Sequence, residues 1–204
     1  MQHPYQHDHI VPHLVKYGYC ITPAFLSAAD VQTLRTEVDI LWREGEFQAA
    51  SIGRGASEQR QPEIRGDFIY WLNPSDLTPT QTIYWHRIDQ LRQQLNHELF
   101  LNVQEFEAHL AVYPAGAFYK RHLDQHQNTQ RRQIACILYL NVDWNSADGG
   151  QLRIYPDAED ENEFIEVEPL GGTLICFRCD TIYHEVLSAQ RERVSLTGWL
   201  CRRS

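Results

Sequence analysis

His122, Asp124 and His184 are the residues of this 204-residue chain whose types and order could hold a metal ion. In an extended segment side chains i and i+2 project to the same face, so His122 and Asp124 can aim one imidazole and one carboxylate at a common point. His184, brought in from an opposing strand, would complete a face of two imidazoles and one carboxylate, leaving three cis positions of an octahedral ion open. That suits a non-haem Fe(II) centre, which must hold a chelating co-substrate and O2 together. Zinc would also bind this trio, and a lone His-x-Asp triplet arises by chance among surface residues, so the surroundings decide.

Those surroundings are strands. Leu110-Ala111-Val112-Tyr113-Pro114 reads as a strand running into a turn before Phe118-Tyr119-Lys120-Arg121-His122. Ile134 to Asn141 is a buried-strand run, and Gly149-Gly150 opens a further strand over 151–155 after a tight turn. Ahead of them the chain is helical. Ser27 to Arg43 carries Val31, Leu34, Val38 and Leu41 on one face, with Ser27 or Asp30 as N-cap, and Thr80 to Phe100 carries Tyr84, Ile88, Leu91, Leu95 and Leu99. The pattern predicts a mainly β fold with flanking helices: two antiparallel sheets packed as a jelly roll, supported by N-terminal helices. One domain over 1–204 is expected, with helical support, early strands and a mobile loop (46–64) in 1–104 and the strand-built core in 105–204. The acidic stretch Asp157 to Glu168 reads as a solvated hairpin.

Beyond the triad the chain carries Arg65-Gly66-Asp67 with Trp71, Tyr113-Pro114, Tyr139-Leu140-Asn141, Asp143-Trp144, Gly149-Gly150, His184-Glu185-Val186 and Arg193-x-Ser195 with Trp199. In this order and spacing the set resembles the 2-oxoglutarate and Fe(II)-dependent dioxygenases of the prolyl 4-hydroxylase type, in particular the oxygen-sensing prolyl hydroxylases and their bacterial relatives. The resemblance spans about residues 60 to 200 and implies a double-stranded β-helix. It implies Fe(II) on His122, Asp124 and His184, with Arg193 gripping the far carboxylate of 2-oxoglutarate, because a guanidinium matches a carboxylate in geometry and stays charged when buried. Tyr139 would donate to that carboxylate and Ser195 would support it, although a core tyrosine and a serine that only completes the strand face are the plain alternatives. Ile137, Leu152 and Trp199 would wall the pocket against water. Tyr113 and Tyr119 would line the substrate side, Tyr113 also bordering the co-substrate, and Asp67 and Arg132 stand where the family has a salt bridge.

The same resemblance implies the reaction: oxidative decarboxylation of 2-oxoglutarate to succinate and CO2, coupled through O2 to hydroxylation of a prolyl residue in a protein or peptide, with L-ascorbate as a possible reductant. Residues 65–71, including Trp71, and the 113–119 segment are the expected substrate contacts. The alternatives are a hydroxylase of a small molecule such as a free amino acid and, from a different class, a non-catalytic sensing or binding module.

Composition narrows the partners. A net charge of −9 argues against a nucleic-acid groove. No window is apolar enough for a bilayer span, and residues 1–13 lack the apolar stretch of a secretory signal, so a cytoplasmic protein is expected. Five cysteines, an odd number spread over positions 20, 136, 176, 179 and 201, do not read as a disulfide framework. Cys176-x-x-Cys179 lies in a strand-like run, where its two thiols would face opposite sides of a core. His3, His7, His9 and His13 resemble an adventitious metal-binding tail.

Overall fold

The computed structural model describes residues 9–51, 59–125 and 130–203. The loop expectation over 46–64 lies partly outside them, as do His3 and His7. Three helices, α1 (Ile10–Tyr17), α2 (Ala28–Glu44) and α3 (Pro79–Leu99), accompany strands β1 (Tyr19–Thr22), β2 (Gln48–Ala49) and β3 (Phe68–Trp71) in the first half. Then follow β4 (Val103–Tyr113), β5 (Tyr119–His122), β6 (Arg132–Tyr139), β7 (Leu152–Tyr155), β8 (Ile165–Val167), β9 (Leu174–Arg178), β10 (Tyr183–Val186) and β11 (Arg193–Arg202). No helix among the described residues is long and apolar enough to cross a membrane.

The helices start and stop where local chemistry directs. Ser27 caps α2 by accepting from the Asp30 amide, and Thr78 and Gln81 form a reciprocal capping box at α3, with Pro79 at its first turn. Gly18 and Gly45 close α1 and α2 in the left-handed conformation. The polar-tail expectation for the N-terminus is corrected from Ile10 onward: α1 buries Ile10, Val11 and Leu14 against the core, and His9 Nε2 hydrogen-bonds Thr22 Oγ1 at 3.2 Å.

All strand pairs are antiparallel, in a seven-stranded sheet of order β1-β9-β6-β11-β4-β3-β2 and a four-stranded sheet of order β5-β10-β7-β8. Two cores follow from the pleat of the larger sheet. Leu110 and Val112 of β4, Ile134, Cys136 and Leu138 of β6, and Val194, Leu196 and Leu200 of β11 pack against the helices. The alternate residues Ala111 and Tyr113, Ala135, Ile137 and Tyr139, and Trp199 and Cys201 face the smaller sheet. Gly198 is an outward position of β11 left without a side chain, because a Cβ there would lie 2.6 Å from the Phe106 ring and 2.7 Å from the Glu107 carbonyl oxygen. Cys176 joins the helix-facing core and Cys179 the inter-sheet core, both as buried free thiols, so they do face opposite sides. Residues 157–164 of the acidic stretch form the connection between the paired strands β7 and β8, and the rest of it supplies β8 itself.

Candidate active site

The inter-sheet space opens into a cavity of about 470 Å3. His122 and His184 reach it from paired strands, since β5 and β10 place them directly opposite one another, with ring centroids 4.2 Å apart. Asp124 lies in a bend just beyond the end of β5, not on the strand as the triplet spacing alone suggests. Its Oδ1 is 3.6 Å from His122 Nε2 and 3.7 Å from His184 Nε2, and the three donor atoms lie within 4.8 Å of one another.

Each ligand is oriented from behind. His122 Nδ1 donates to the Lys120 carbonyl at 2.7 Å and His184 Nδ1 to that of Ile182 at 3.3 Å, which leaves both Nε2 lone pairs free for a metal. Asp124 Oδ2 accepts from the Trp199 indole N–H at 2.9 Å, so the carboxylate's two oxygens have separate tasks. His122 also stacks on Tyr119 at 3.6 Å, and His184 lies 4.4 Å from the Phe177 ring. Burial pushes the Asp124 carboxyl up, but His184, His122 and Arg132 together hold it well below the usual carboxylate range. Burial, reinforced by His122, lowers His184 to about 4. An anionic carboxylate and a neutral His184 are the forms a cation requires.

The deep end is built around Arg193, a fully buried arginine. Its Nε donates to the Gly150 carbonyl at 2.8 Å, while Nη2 is buried with no partner among the described residues. The Tyr139 hydroxyl is likewise buried and unpartnered, with the guanidinium 5.1 Å from the Tyr139 ring and from the Tyr113 ring. Burial pushes the Tyr139 phenol up to about 12, so it remains a donor. Unpaired buried donors cost about 1–3 kcal/mol each, and two of them converging on one place call for an anionic acceptor such as a carboxylate. Gly150 (φ +69°) makes room for this arrangement: a Cβ would stand 2.9 Å from Ala189 Cβ and 3.2 Å from Arg193 Cδ. Ser195 is buried, its Oγ 3.3 Å from Thr197 Oγ1, and Ile137, Leu152 and Val186 add the apolar wall.

Towards the mouth, Tyr113, Tyr119, Trp71, Arg65 and Arg132 line the same cavity. The expected Asp67–Arg132 salt bridge is not formed. Asp67 takes a bidentate pair from Arg65 (2.8 and 2.6 Å), and Arg132 donates to Glu107 (2.9 Å) while its guanidinium lies 3.5 Å over the Trp199 ring. The reason is proximity: Arg65 reaches Asp67 along one extended segment, whereas Glu107 is the register partner of Trp199 and so stands beside Arg132. Sequence reasoning also passed over His109, Thr197 and Glu107, all of which line the cavity. Strand parity could have found them, because Glu107 and His109 share a face of β4 with Tyr113, and Thr197 shares a face of β11 with Arg193 and Trp199.

Residues 108–201 match a family described as the 2OG-Fe(II) oxygenase superfamily. A solved prolyl-4-hydroxylase of Pseudomonas putida shares 39% sequence identity and a TM-score of 0.85, covering 96% of this chain and 98% of that one. This chain belongs to the 2OG-Fe(II) oxygenase superfamily. A prolyl hydroxylase of Trichoplax adhaerens, solved with a hypoxia inducible factor oxygen degradation domain peptide fragment, superposes on this oxygenase with a TM-score of 0.83 at 29% identity, covering 94% of this chain and 87% of that one. Egl nine homolog 1 of Homo sapiens is 32% identical over 198 residues, 94% of this chain and 46% of that protein. The oxygenase thus spans about half the length of the Egl nine 1 homologues it matches. The superfamily uses Fe(II), 2-oxoglutarate and O2, and the residues present fit the first two: a two-histidine, one-carboxylate donor set, and buried donors at Arg193 Nη2 and Tyr139 without an acceptor.

Proposed function

We propose that this oxygenase is a peptidyl-prolyl 4-hydroxylase dependent on Fe(II) and 2-oxoglutarate. The observation that carries the reading is the pairing, within one cavity, of the His122/Asp124/His184 donor set with the partnerless Arg193 Nη2 and Tyr139 hydroxyl. Bound iron supplies the redox chemistry that couples decarboxylation of 2-oxoglutarate to succinate and CO2 with hydroxylation of a C–H bond. The protein's part is binding, aim and dryness. His122, Asp124 and His184 would hold the metal. Arg193 and Tyr139 receive the far carboxylate of the co-substrate, and the Gly150 carbonyl fixes the guanidinium's direction. Ile137, Leu152, Val186 and Trp199 exclude water, which strengthens each charge-assisted contact inside. Tyr113, Tyr119 and Trp71 border the side open to substrate.

The prolyl assignment draws on the resemblance to the Pseudomonas putida and Trichoplax adhaerens enzymes, the latter seen with a peptide fragment, and on the presence of Arg65, held by Asp67, and of Trp71 in the lining of the cavity. The test is an anaerobic titration of 2-oxoglutarate into Fe(II)-loaded protein, followed by its visible charge-transfer band, with His122→Ala and Arg193→Ala as controls. A band that both variants weaken supports the co-substrate assignment, and a +16 Da product confined to proline in a peptide screen supports the substrate assignment. No band in loaded parent protein overturns both.

A further inference from the structure

His109 stands on the inward face of β4, opposite Thr197 of β11 and Trp71 of β3. It is 4% exposed and lines the catalytic cavity, yet its Nδ1 is buried with no hydrogen-bond partner among the described residues. Its ring packs beside two indoles that also touch each other, at 4.9 Å and 72° to Trp71 and 5.4 Å and 46° to Trp199, with the indole centroids 6.2 Å apart. The charged groups near enough to act on it are Asp67, Arg65, Arg132 and Asp124. Burial lowers it to about 3, so it is a neutral imidazole with one N–H and one lone pair.

A buried polar side chain packed beside indoles without a partner is costly unless something arriving in the cavity completes it. The neighbouring polar groups are already engaged: Arg65 by Asp67, Arg132 by Glu107, the Trp199 indole by Asp124, Ser195 by Thr197. Trp71, half exposed at the rim, stacks edge-on over His109, so a segment entering past Trp71 meets this imidazole before it meets the metal ligands. An uncharged imidazole beside two indoles favours an uncharged partner that can both donate and accept, which is the description of a backbone amide.

We propose that His109 is a specificity-determining residue that hydrogen-bonds a backbone amide of the peptide next to the target residue. The inference rests on the peptidyl-prolyl reading and deepens it. The experiment compares parent, His109→Asn and His109→Leu for peptide KM and kcat, for the equilibrium affinity of the Fe(II)/2-oxoglutarate-loaded protein for the peptide under anaerobic conditions, and for 2-oxoglutarate affinity. Asn places an amide near the position of Nδ1, whereas Leu keeps apolar volume and removes hydrogen bonding. The expected result is a loss of about tenfold in peptide affinity and a matching rise in KM for His109→Leu, recovery to within about threefold for His109→Asn, and no comparable change for 2-oxoglutarate. Leu matching the parent while Asn is impaired means that His109 only packs, and overturns the proposal. Equal losses for peptide and 2-oxoglutarate overturn it as well, by showing a general disturbance of the cavity. Failure of the parent to hydroxylate any prolyl peptide while still giving the 2-oxoglutarate band removes the prolyl reading and this inference together, a pattern distinct from a parent that turns over while His109→Leu is unaffected.

Discussion

Replacing Trp199 by Phe isolates the one hydrogen bond that fixes how the metal-binding carboxylate turns. The indole N–H meets Asp124 Oδ2 at 2.9 Å, while Oδ1 faces the two imidazole nitrogens. A phenyl ring keeps most of the packing against His109 and a face for the Arg132 guanidinium, but it has no donor. A bond to a charged acceptor contributes about 1.5–3 kcal/mol, and losing the partner that orients a metal ligand typically reduces metal affinity about 10- to 100-fold. The lost volume at a 6% exposed site costs global stability on the order of 1–2 kcal/mol. The assay is an anaerobic competition titration of Fe(II), or of Co(II) as a spectroscopic substitute, against a chelator of known strength, alongside chemical unfolding of the metal-free protein. The expected signature is a metal affinity that falls by at least tenfold in a variant that remains folded at 25 °C. Unchanged metal affinity accompanied by the full loss in unfolding stability would refute the reasoning, since the indole would then matter only as filler.

Further outcomes are expected elsewhere in the cavity. Tyr139→Phe removes a buried hydroxyl that lacks a partner, so the metal-free protein should unfold at the same or higher denaturant concentration while 2-oxoglutarate affinity drops about tenfold; calorimetry and a denaturant melt read the two effects separately. Gly150→Ala forces a side chain at φ +69° against Ala189 and Arg193 Cδ, and should cost about 1–3 kcal/mol of stability together with a raised KM for 2-oxoglutarate. Removing the metal with a chelator should abolish turnover, and Fe(II), not Zn(II), should restore it. For pH, the folded His109 value of about 3 lies below the unfolded value near 6.5, so protonation favours the unfolded chain: this group's contribution is intact above pH 6.5 and declines as pH falls towards 3. Between pH 6.5 and 5 that is up to about 2 kcal/mol, and urea melts of His109→Leu should show a correspondingly shallower acid slope than the parent.

Sequence reasoning reached the parts of the site whose relations are short-range. His122 and Asp124 are two residues apart, Arg193 and Trp199 share strand parity, and the α2 and α3 stripes repeat at helical spacing, so local geometry constrained all of them. Pairings that depend on strand register were out of reach. Asp67 and Arg132 were expected to meet, but the structure gives Arg65 to Asp67 and Glu107 to Arg132, because β4 and β11 bring residue 107 opposite residue 199. His109 escaped notice for a related reason: a histidine in a strand is unremarkable until the two indoles beside it and its lack of a partner among the described residues are seen together. Helix α1 was hidden by its His-rich lead-in, which masks the short apolar triplet Ile10, Val11 and Leu14. Strand β1 became visible only through its pairing with β9, more than 150 residues away in the chain.

The two faces of β11 tie this oxygenase's chemistry to its foldedness. Odd positions from Arg193 to Trp199 line the cavity, and even positions Val194, Leu196 and Leu200 sit under the helices. Inserting or deleting a single residue within that strand would exchange the two sets, driving an arginine into the helix-packed core and leucines into the cavity. Tinkering by insertion is therefore barred from the strand and left to the connections, such as the acidic one between β7 and β8, where added residues disturb neither face. Variation in what such a scaffold accepts as substrate can accumulate at its rims while the strand that carries Arg193 keeps a fixed length.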